Sequence, residues 1–246
     1  MPLHTRFIPT SLLAAACLIG WVSTAHAALT VSSTRIVHES NKRSSSVVVA
    51  NPSKQAYAAQ AWVNTSDDDT TTQVPLIASP ALFRLDPGKR QSVQINMLPN
   101  QLPQDRESVF YFNVQEIPQV SAVDKNVLNI ALRTRIKLFY RPSQLTERPE
   151  TQLKALKWSL QRKGGQTYLV VDNPSPYHYT FGRLEVSNQN QREVLDARAM
   201  AVPLGQQSYL LSTLRPADDL TVTFTAINDY GGHSEPLSEP LAGSMQ

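Results

Sequence analysis

The stretch from Asn126 to Pro142 has the clearest chemical pattern in the sequence. It reads NVLNIALRTRIKLFYRP, and between Val127 and Tyr140 it contains no glycine, proline or acidic residue, which is typical of a β-strand. Alternate positions separate into an aliphatic set, Leu128, Ile130, Leu132, Ile136 and Leu138, and a polar, mainly cationic set, Asn129, Arg133, Arg135 and Lys137. An apolar row of this kind either fills the core of its own domain or, at a sheet edge, is offered to another protein as a missing strand.

Residues that could support catalysis are scattered. His38, His178 and His233 are far apart and lack the spacing of metal ligands. The sequence has no glycine-rich phosphate loop and no G-x-S-x-G motif, and its one cysteine, Cys17, lies in a segment that we expect to be removed. The acidic run at 67–69 lacks the alternating ligands of a calcium loop, and we interpret it as a solvated loop. The sequence therefore predicts a protein that is not an enzyme and that uses no metal or cofactor.

The N-terminal segment Met1–Ala27 has the features of an export signal. Arg6 precedes a largely apolar stretch, and the small-x-small run Ala25–Ala27 stands before a polar continuation. No later segment approaches the roughly 20 apolar residues that span a bilayer. We expect a mature chain that begins at Ala28, is exported and does not insert into the membrane.

Charge and cysteine content exclude some classes of partner and of stabilisation. The precursor has 23 basic and 20 acidic side chains, and removal of Arg6 leaves 22 against 20, a net charge of +2. This balance argues against a dedicated nucleic-acid-binding protein. The mature chain has no cysteine and hence no disulfide, so its stability must come from hydrophobic burial.

Short apolar runs separated by proline, glycine, asparagine and aspartate predict an all-β protein. Seven candidate strands in the first part favour an immunoglobulin-like sandwich, and a second set favours another sandwich. We predict domains at 28–144 and 151–246, with a linker at 145–150. The predicted strands are Leu29–Val37, Ser46–Ala50, Ala56–Val63, Gln73–Ile77, Gln91–Leu98, Val109–Ile117 and Val127–Tyr140, then Lys154–Gln161, Thr167–Val171, His178–Val186, Arg192–Met200, Gln206–Leu211 and Leu220–Ile227.

Several motifs resemble those of the periplasmic pilus chaperones typified by PapD. The most specific is LPQDRESVFYFNVQEIP at 102–118, and IKLFYRP at 136–142 and NDYGG at 228–232 are further matches. QAW at 60–62 and STR at 33–35 agree as well, so the resemblance extends over both predicted domains. It implies two immunoglobulin-like β-sandwich domains in a boomerang arrangement.

The resemblance also implies a function and a set of site residues. Chaperones of this family complete the unfinished sandwich of a pilus subunit with a strand of their own, hold the subunit's C-terminal carboxylate, and deliver the subunit to an outer-membrane usher. By position, the donor strand would occupy about 126–140, with Leu128, Ile130 and Leu132 as the donated side chains. Arg35 and Lys137 would be the carboxylate anchor, and Glu107, Arg141 and Asp229 would form a structural ion network between the domains.

One detail conflicts with a regular strand. Strict alternation places Lys137 on the opposite face from the three donated side chains, so we expect a bulge or strong twist between Arg133 and Lys137.

The expected partners are pilus subunits, in a one-to-one complex, and the usher, and the expected location is the periplasm. The alternative that the residues leave open is a structural or adhesive two-domain component of a surface fibre. A component of that kind would remain with the fibre.

Overall fold

The computed structural model describes residues 29–69, 71–117, 130–214 and 219–241, and most of these lie in β-strands. The prediction of an all-β protein is confirmed. No helix in these ranges is long and apolar enough to cross a membrane. The predicted export segment 1–27 and the predicted donor residue Leu128 lie outside the described residues.

The first sandwich pairs a four-stranded sheet with a five-stranded sheet. The four-stranded sheet has the order β1-β3-β7-β5 and the five-stranded sheet the order β2-β9-β8-β4-β6. The strands are β1 (Thr30–Val31), β2 (Arg35–Glu39), β3 (Ser44–Ala50), β4 (Tyr57–Asn64), β5 (Leu76–Ser79), β6 (Leu82–Leu85), β7 (Arg90–Met97), β8 (Ser108–Ile117) and β9 (Arg133–Arg141).

The core of this sandwich follows from alternation along the strands. Val49 on β3, Val93 on β7 and Phe112 on β8 are fully buried, and they belong to one cluster contributed by both sheets. Leu138 on β9 joins the same cluster. Burial of each large apolar side chain contributes about 1.5–3 kcal/mol, so the rows that face each other hold the sheets together.

The first predicted strand is divided between the two sheets. The run Leu29–Val37 was predicted to be one strand, but β1 pairs with β3 and β2 pairs with β9 in the other sheet. The polar residues between β1 and β2 carry the chain from one sheet to the other. This crossing places Arg35 at the start of β2, in a parallel ladder with β9.

The second sandwich has its own core. A 3₁₀ helix, Pro149–Ala155, leads into sheets of order β10-β11-β14 and β13-β12-β15-β16. The strands are β10 (Lys157–Lys163), β11 (Gln166–Asn173), β12 (Phe181–Ser187), β13 (Arg192–Val194), β14 (Gly205–Leu211), β15 (Thr221–Ala226) and β16 (Leu237–Pro240). Trp158, Phe181 and Phe224 pack within its core, with centroid distances of 5.0–5.7 Å. The exact limits of the two predicted domains stay a prediction.

Strand β9 begins later than its sequence predicted. Its antiparallel ladder with β8 starts at the pair Gln115 and Arg133, and Ile130 to Leu132 lie outside the strand. Leu132 still accepts the backbone N–H of Glu116 on β8, but ladder pairs between these strands are found only from Arg133 onward.

The expected bulge is absent from this part of β9. The register between β8 and β9 runs without a shift through every pair from Arg133 to Tyr140. The predicted bulge between Arg133 and Lys137 is therefore wrong, and the strong twist that was its alternative stays a prediction. Lys137 faces away from the first core, whereas Leu138 faces into it, as ordinary alternation requires.

Candidate functional site at the junction of the two sandwiches

Arg35 and Lys137 lie side by side where the sandwiches meet. The parallel register of β2 and β9 makes them direct partners. Arg35 is 8% exposed, and its Nη1 donates to the backbone carbonyl of Ile227 at 2.8 Å. The Nζ of Lys137 donates to Oγ1 of Thr180 at 2.8 Å. Each of these two cations therefore donates a hydrogen bond to a neutral oxygen of the second sandwich.

These two cations have no acidic partner. Within the described ranges, no carboxylate lies at ion-pair distance from Arg35 or Lys137, because Glu107 and Asp229 bind Arg141 instead. The Nε of Arg35 is buried and has no hydrogen-bond partner. Desolvation and the charge of Arg35 lower the pKa of Lys137 to about 8. Two adjacent, partly desolvated cations with an unused donor form a site that favours an anion such as a carboxylate.

An ion network beside this pair joins the two sandwiches. Arg141 at the end of β9 donates from Nε to Glu107 at 2.8 Å, and its two terminal nitrogens bind Asp229 at 2.6 and 2.9 Å. The second oxygen of Glu107 accepts the backbone N–H of His178 at 2.9 Å. Burial opposes the charged form of Arg141, but the hydrogen bonds and charges of its two acidic partners raise its pKa overall. The network thus links the residue before β8, the end of β9 and two segments of the second sandwich.

The turn 228–232 brings Asp229 into this network. Asn228 accepts N–H groups from Tyr230 and Gly232 through its side chain, which fixes the turn. Gly231 has a φ of +86°, and a Cβ there would lie 2.4 Å from Oγ1 of Thr34. Glycine is therefore required at 231, both for the backbone conformation and for the close approach to the residue before Arg35.

The free edge of β9 lies next to the two cations. Strand β2 pairs with β9 only from Lys137 onward, and in the described residues no strand pairs with that edge from Arg133 to Ile136. Just ahead of it, Ile130 and Leu132 are 64% and 51% exposed. Large apolar side chains beside an unpaired strand edge are suited to binding a further strand.

The acidic run 67–69 lies in a largely exposed loop, as predicted, and this loop also contacts β9. Asp68 forms a salt bridge with Arg133, and Arg135 donates to the carbonyl of Thr65 at 2.6 Å. The guanidinium of Arg133 also lies over the ring of Trp62, 5.0 Å from its centroid. Two of the cations on the outer face of β9 are thus bound by the loop, whereas Lys137 is not.

Some groups at this site have no signal in the sequence. Thr180 and the carbonyl of Ile227 contact the cations because of how the two sandwiches pack, and neither residue type is distinctive. His178 was noted only as an isolated histidine, yet its backbone N–H binds Glu107. Contacts between distant segments of this kind are set by tertiary packing, so local pattern does not reveal them.

Comparisons with known proteins agree with this architecture. Residues 28–146 match the family model described as pili and flagellar-assembly chaperone, PapD N-terminal domain, and residues 151–237 match pili assembly chaperone PapD, C-terminal domain. The chain is 36% identical over 228 residues to the chaperone protein PapD of Escherichia coli, covering 92% of each chain. It is 34% identical to the probable fimbrial chaperone YadV of Escherichia coli K12, covering 92% of this chain and 95% of YadV.

Solved structures give the same result. The crystal structure of the YadV chaperone matches with a TM-score of 0.76 and 33% identity, over 87% of this chain and 100% of that one. The SafB chaperone, solved in complex with the SafA pilin of Salmonella enterica, shares the fold with a TM-score of 0.74 at 21% identity, over 87% of this chain and 96% of that one. The chain therefore belongs to the PapD-like family of pilus assembly chaperones.

Proposed function

We propose that this protein works in the periplasm, where it captures a pilus subunit in a one-to-one complex and passes it to an outer-membrane usher. The subunit would pair with β9 along its free edge, so that β9 supplies the strand that the subunit's own sandwich lacks. The observation that carries this proposal is the edge of β9 that no described strand pairs with. Ile130 and Leu132 are exposed ahead of it, and Arg35 and Lys137 lie beside it without an ion-pair partner among the described residues.

The apolar side chains supply most of the binding energy in this proposal. Ile130 and Leu132 are exposed in the free protein, so their burial in a subunit would contribute about 1.5–3 kcal/mol each. Leu128 is assigned the same role by the family motif. Backbone hydrogen bonds along the free edge would add about 0.5–1.5 kcal/mol each, before the cost of association is subtracted.

The cation pair sets the register. A C-terminal carboxylate would bind Arg35 and Lys137 through charge-assisted hydrogen bonds, worth about 1.5–3 kcal/mol each. Because the anchor is a single point, it fixes which residues of the two strands face each other. A slip by one residue would turn every donated side chain to the wrong face.

The regular geometry of β9 is compatible with both strand donation and anchoring of the carboxylate. Ile130 and Leu132 precede the strand, and Lys137 lies on its outer face, where it meets Thr180. A partner that binds along the edge contacts side chains from both faces of a strand. The cation and the donated side chains therefore serve one partner without sharing a face.

Co-expression tests the proposal. The mature chain is co-expressed with the pilin encoded beside it and purified from the periplasm, together with Lys137→Ala and the control Lys157→Ala, which removes an exposed lysine at the start of β10. We expect a one-to-one complex that is lost with Lys137→Ala and kept with Lys157→Ala.

The other results separate the parts of the proposal. A complex that survives Lys137→Ala would retain subunit capture but remove the assigned anchor. If the unaltered chain captures no pilin and stays with the assembled fibre, the protein is a structural or adhesive fibre component instead. Release of the pilin from the complex to purified usher, and not to buffer alone, is the result expected for delivery.

A further inference from the structure

Glu116 is a buried acid at a position where strand alternation predicts an apolar side chain. The core-facing positions of β8 are Phe110, Phe112 and Val114, all buried, and the next is Glu116, which is 5% exposed. A buried carboxylate is costly unless it is paired and hydrogen-bonded. None of the functions assigned above uses this side chain.

The contacts of Glu116 join three segments of the chain. Its Oε1 accepts the backbone N–H of Leu29 at 2.8 Å, in a buried hydrogen bond. Its own backbone N–H donates to the carbonyl of Leu132 at 3.0 Å. Burial raises the pKa of the carboxyl, and hydrogen bonds from the backbone of Leu29 and of Leu132 oppose that shift. No cation in the described part of the chain forms an ion pair with it, so its partners are backbone groups.

The two segments that Glu116 binds both lie just outside the β-ladders. Leu29 stands immediately before β1, and Leu132 immediately before β9, so each is the last residue outside a ladder. Leu132 is also one of the two exposed apolar residues ahead of the free edge. The bond from the N–H of residue 116 to the carbonyl of Leu132 does not depend on the side chain, whereas the bonds that the carboxyl accepts from the backbone of Leu29 and of Leu132 do.

We propose that Glu116 is a positioning residue for subunit capture, which ties the segment ahead of β9 to the segment ahead of β1 and so orients Ile130 and Leu132 for the incoming subunit. This inference rests on the proposed function of that segment. Glu116 contacts no subunit itself and acts through the backbone of Leu132.

Two replacements test the positioning role, and thermal unfolding checks that each variant is folded. Glu116→Leu continues the apolar row of β8 and removes the cost of burying a carboxyl, but it leaves the buried N–H of Leu29 without its acceptor. These two effects on the midpoint of unfolding oppose each other. Glu116→Gln is the second variant, since it keeps the shape and one acceptor oxygen. The control is Glu185→Gln, which alters a buried acid of the second sandwich that is bound by Arg183 and Arg192.

Two measurements are made on the full mature chain. The first is amide hydrogen exchange at Leu132 in the free protein. The second is the rate of capture when urea-unfolded pilin, the one used above, is diluted into the chaperone. For Glu116→Leu we expect exchange at Leu132 to be about tenfold faster and capture about tenfold slower, which corresponds to loss of about one charge-assisted hydrogen bond. Glu116→Gln should show smaller changes in the same direction, and Glu185→Gln should show neither.

The outcomes keep this inference apart from the proposed function. A folded Glu116→Leu protein with unaltered exchange at Leu132 and unaltered capture would overturn the positioning role. Faster exchange with unaltered capture would also overturn it, and would leave Glu116 a purely structural contact. If the unaltered chain captures no pilin, the proposed function fails, and the positioning role fails with it whatever the exchange result.

Discussion

Replacement of Lys137 by methionine should change the dependence of stability on pH. The lysine is half-buried beside Arg35, and desolvation followed by that neighbouring charge lowers its pKa from 10.5 to about 8. Its protonated form is thus disfavoured by folding. The penalty is complete below about pH 8, declines as the folded protein loses the proton, and vanishes above about 10.5, where the unfolded chain has also lost it. Methionine keeps much of the stem and carries no charge.

The size of the effect follows from the pKa shift. Each unit of pKa corresponds to about 1.4 kcal/mol, so the shift sets an upper limit of about 3 kcal/mol. Solvent screening at a half-exposed side chain reduces this to about 1–2 kcal/mol. The hydrogen bond to Thr180 is lost at every pH, since a neutral amine also donates. It therefore changes the absolute stability of Lys137→Met but not the pH dependence of the difference.

Thermal unfolding at pH 7, 8.5 and 10.5 measures this difference. Stability of the unaltered protein relative to Lys137→Met should rise by about 1–2 kcal/mol over this range, which corresponds to a relative shift of about 2–8 °C in Tm for a chain of this size. Lys157→Met, at an exposed position, is the control and should show a constant difference. A constant difference for Lys137→Met would refute the argument that this lysine is held charged at a cost. In the unaltered protein, subunit capture should also weaken as pH rises through about 8.

Three further predictions concern other parts of the structure. Glu107→Gln weakens the buried network around Arg141 and should lower the free energy of unfolding by about 3 kcal/mol in urea denaturation, whereas a loss below about 1 kcal/mol would contradict the assigned role. The hydrogen bond from Arg133 lowers the pKa of Asp68 to about 2, so Asp68→Asn should be less stable at neutral pH, and the difference in Tm should narrow as pH falls from about 4 through 2; an undiminished gap at pH 2 would exclude this contact as its cause. Gly182→Ala places a Cβ 2.2 Å from Cε1 of His233, so it should lower Tm, and His233→Ala should restore Tm in the double variant; no restoration would place the strain elsewhere.

Local sequence patterns predicted several features of the fold. Short apolar runs separated by turn residues predicted the all-β architecture, and alternation along 126–142 placed Leu138 and Lys137 on opposite faces of one strand, as found. These features depend on the period of two residues in a strand, which is a local property and can be read from sequence.

Features that depend on which strands meet could not be derived locally. The run Leu29–Val37 has β-favouring residues on both sides of Ser32 and Ser33, but its composition does not indicate that β1 and β2 join different sheets. The proximity of Arg35 and Lys137 came from a family resemblance, because the two are 102 positions apart and become neighbours only through the parallel register. The prediction of a bulge was wrong because it assumed that Lys137 and the donated side chains must lie on one face of β9 to contact the same partner.

The contacts of the two cations with the second sandwich would make the proposed anion site sensitive to the angle between the sandwiches. Arg35 binds the carbonyl of Ile227, and Lys137 binds Thr180, so a rotation of one sandwich against the other breaks both contacts together. Affinity for the anion and the interdomain angle are then linked. If an anion draws the cations toward itself, its binding alters the angle. By reciprocity, a second partner that binds better at one angle would change the affinity for the anion by the same factor as the anion changes the affinity for that partner. A partner that contacts both sandwiches at once would thereby change how tightly the anion is held.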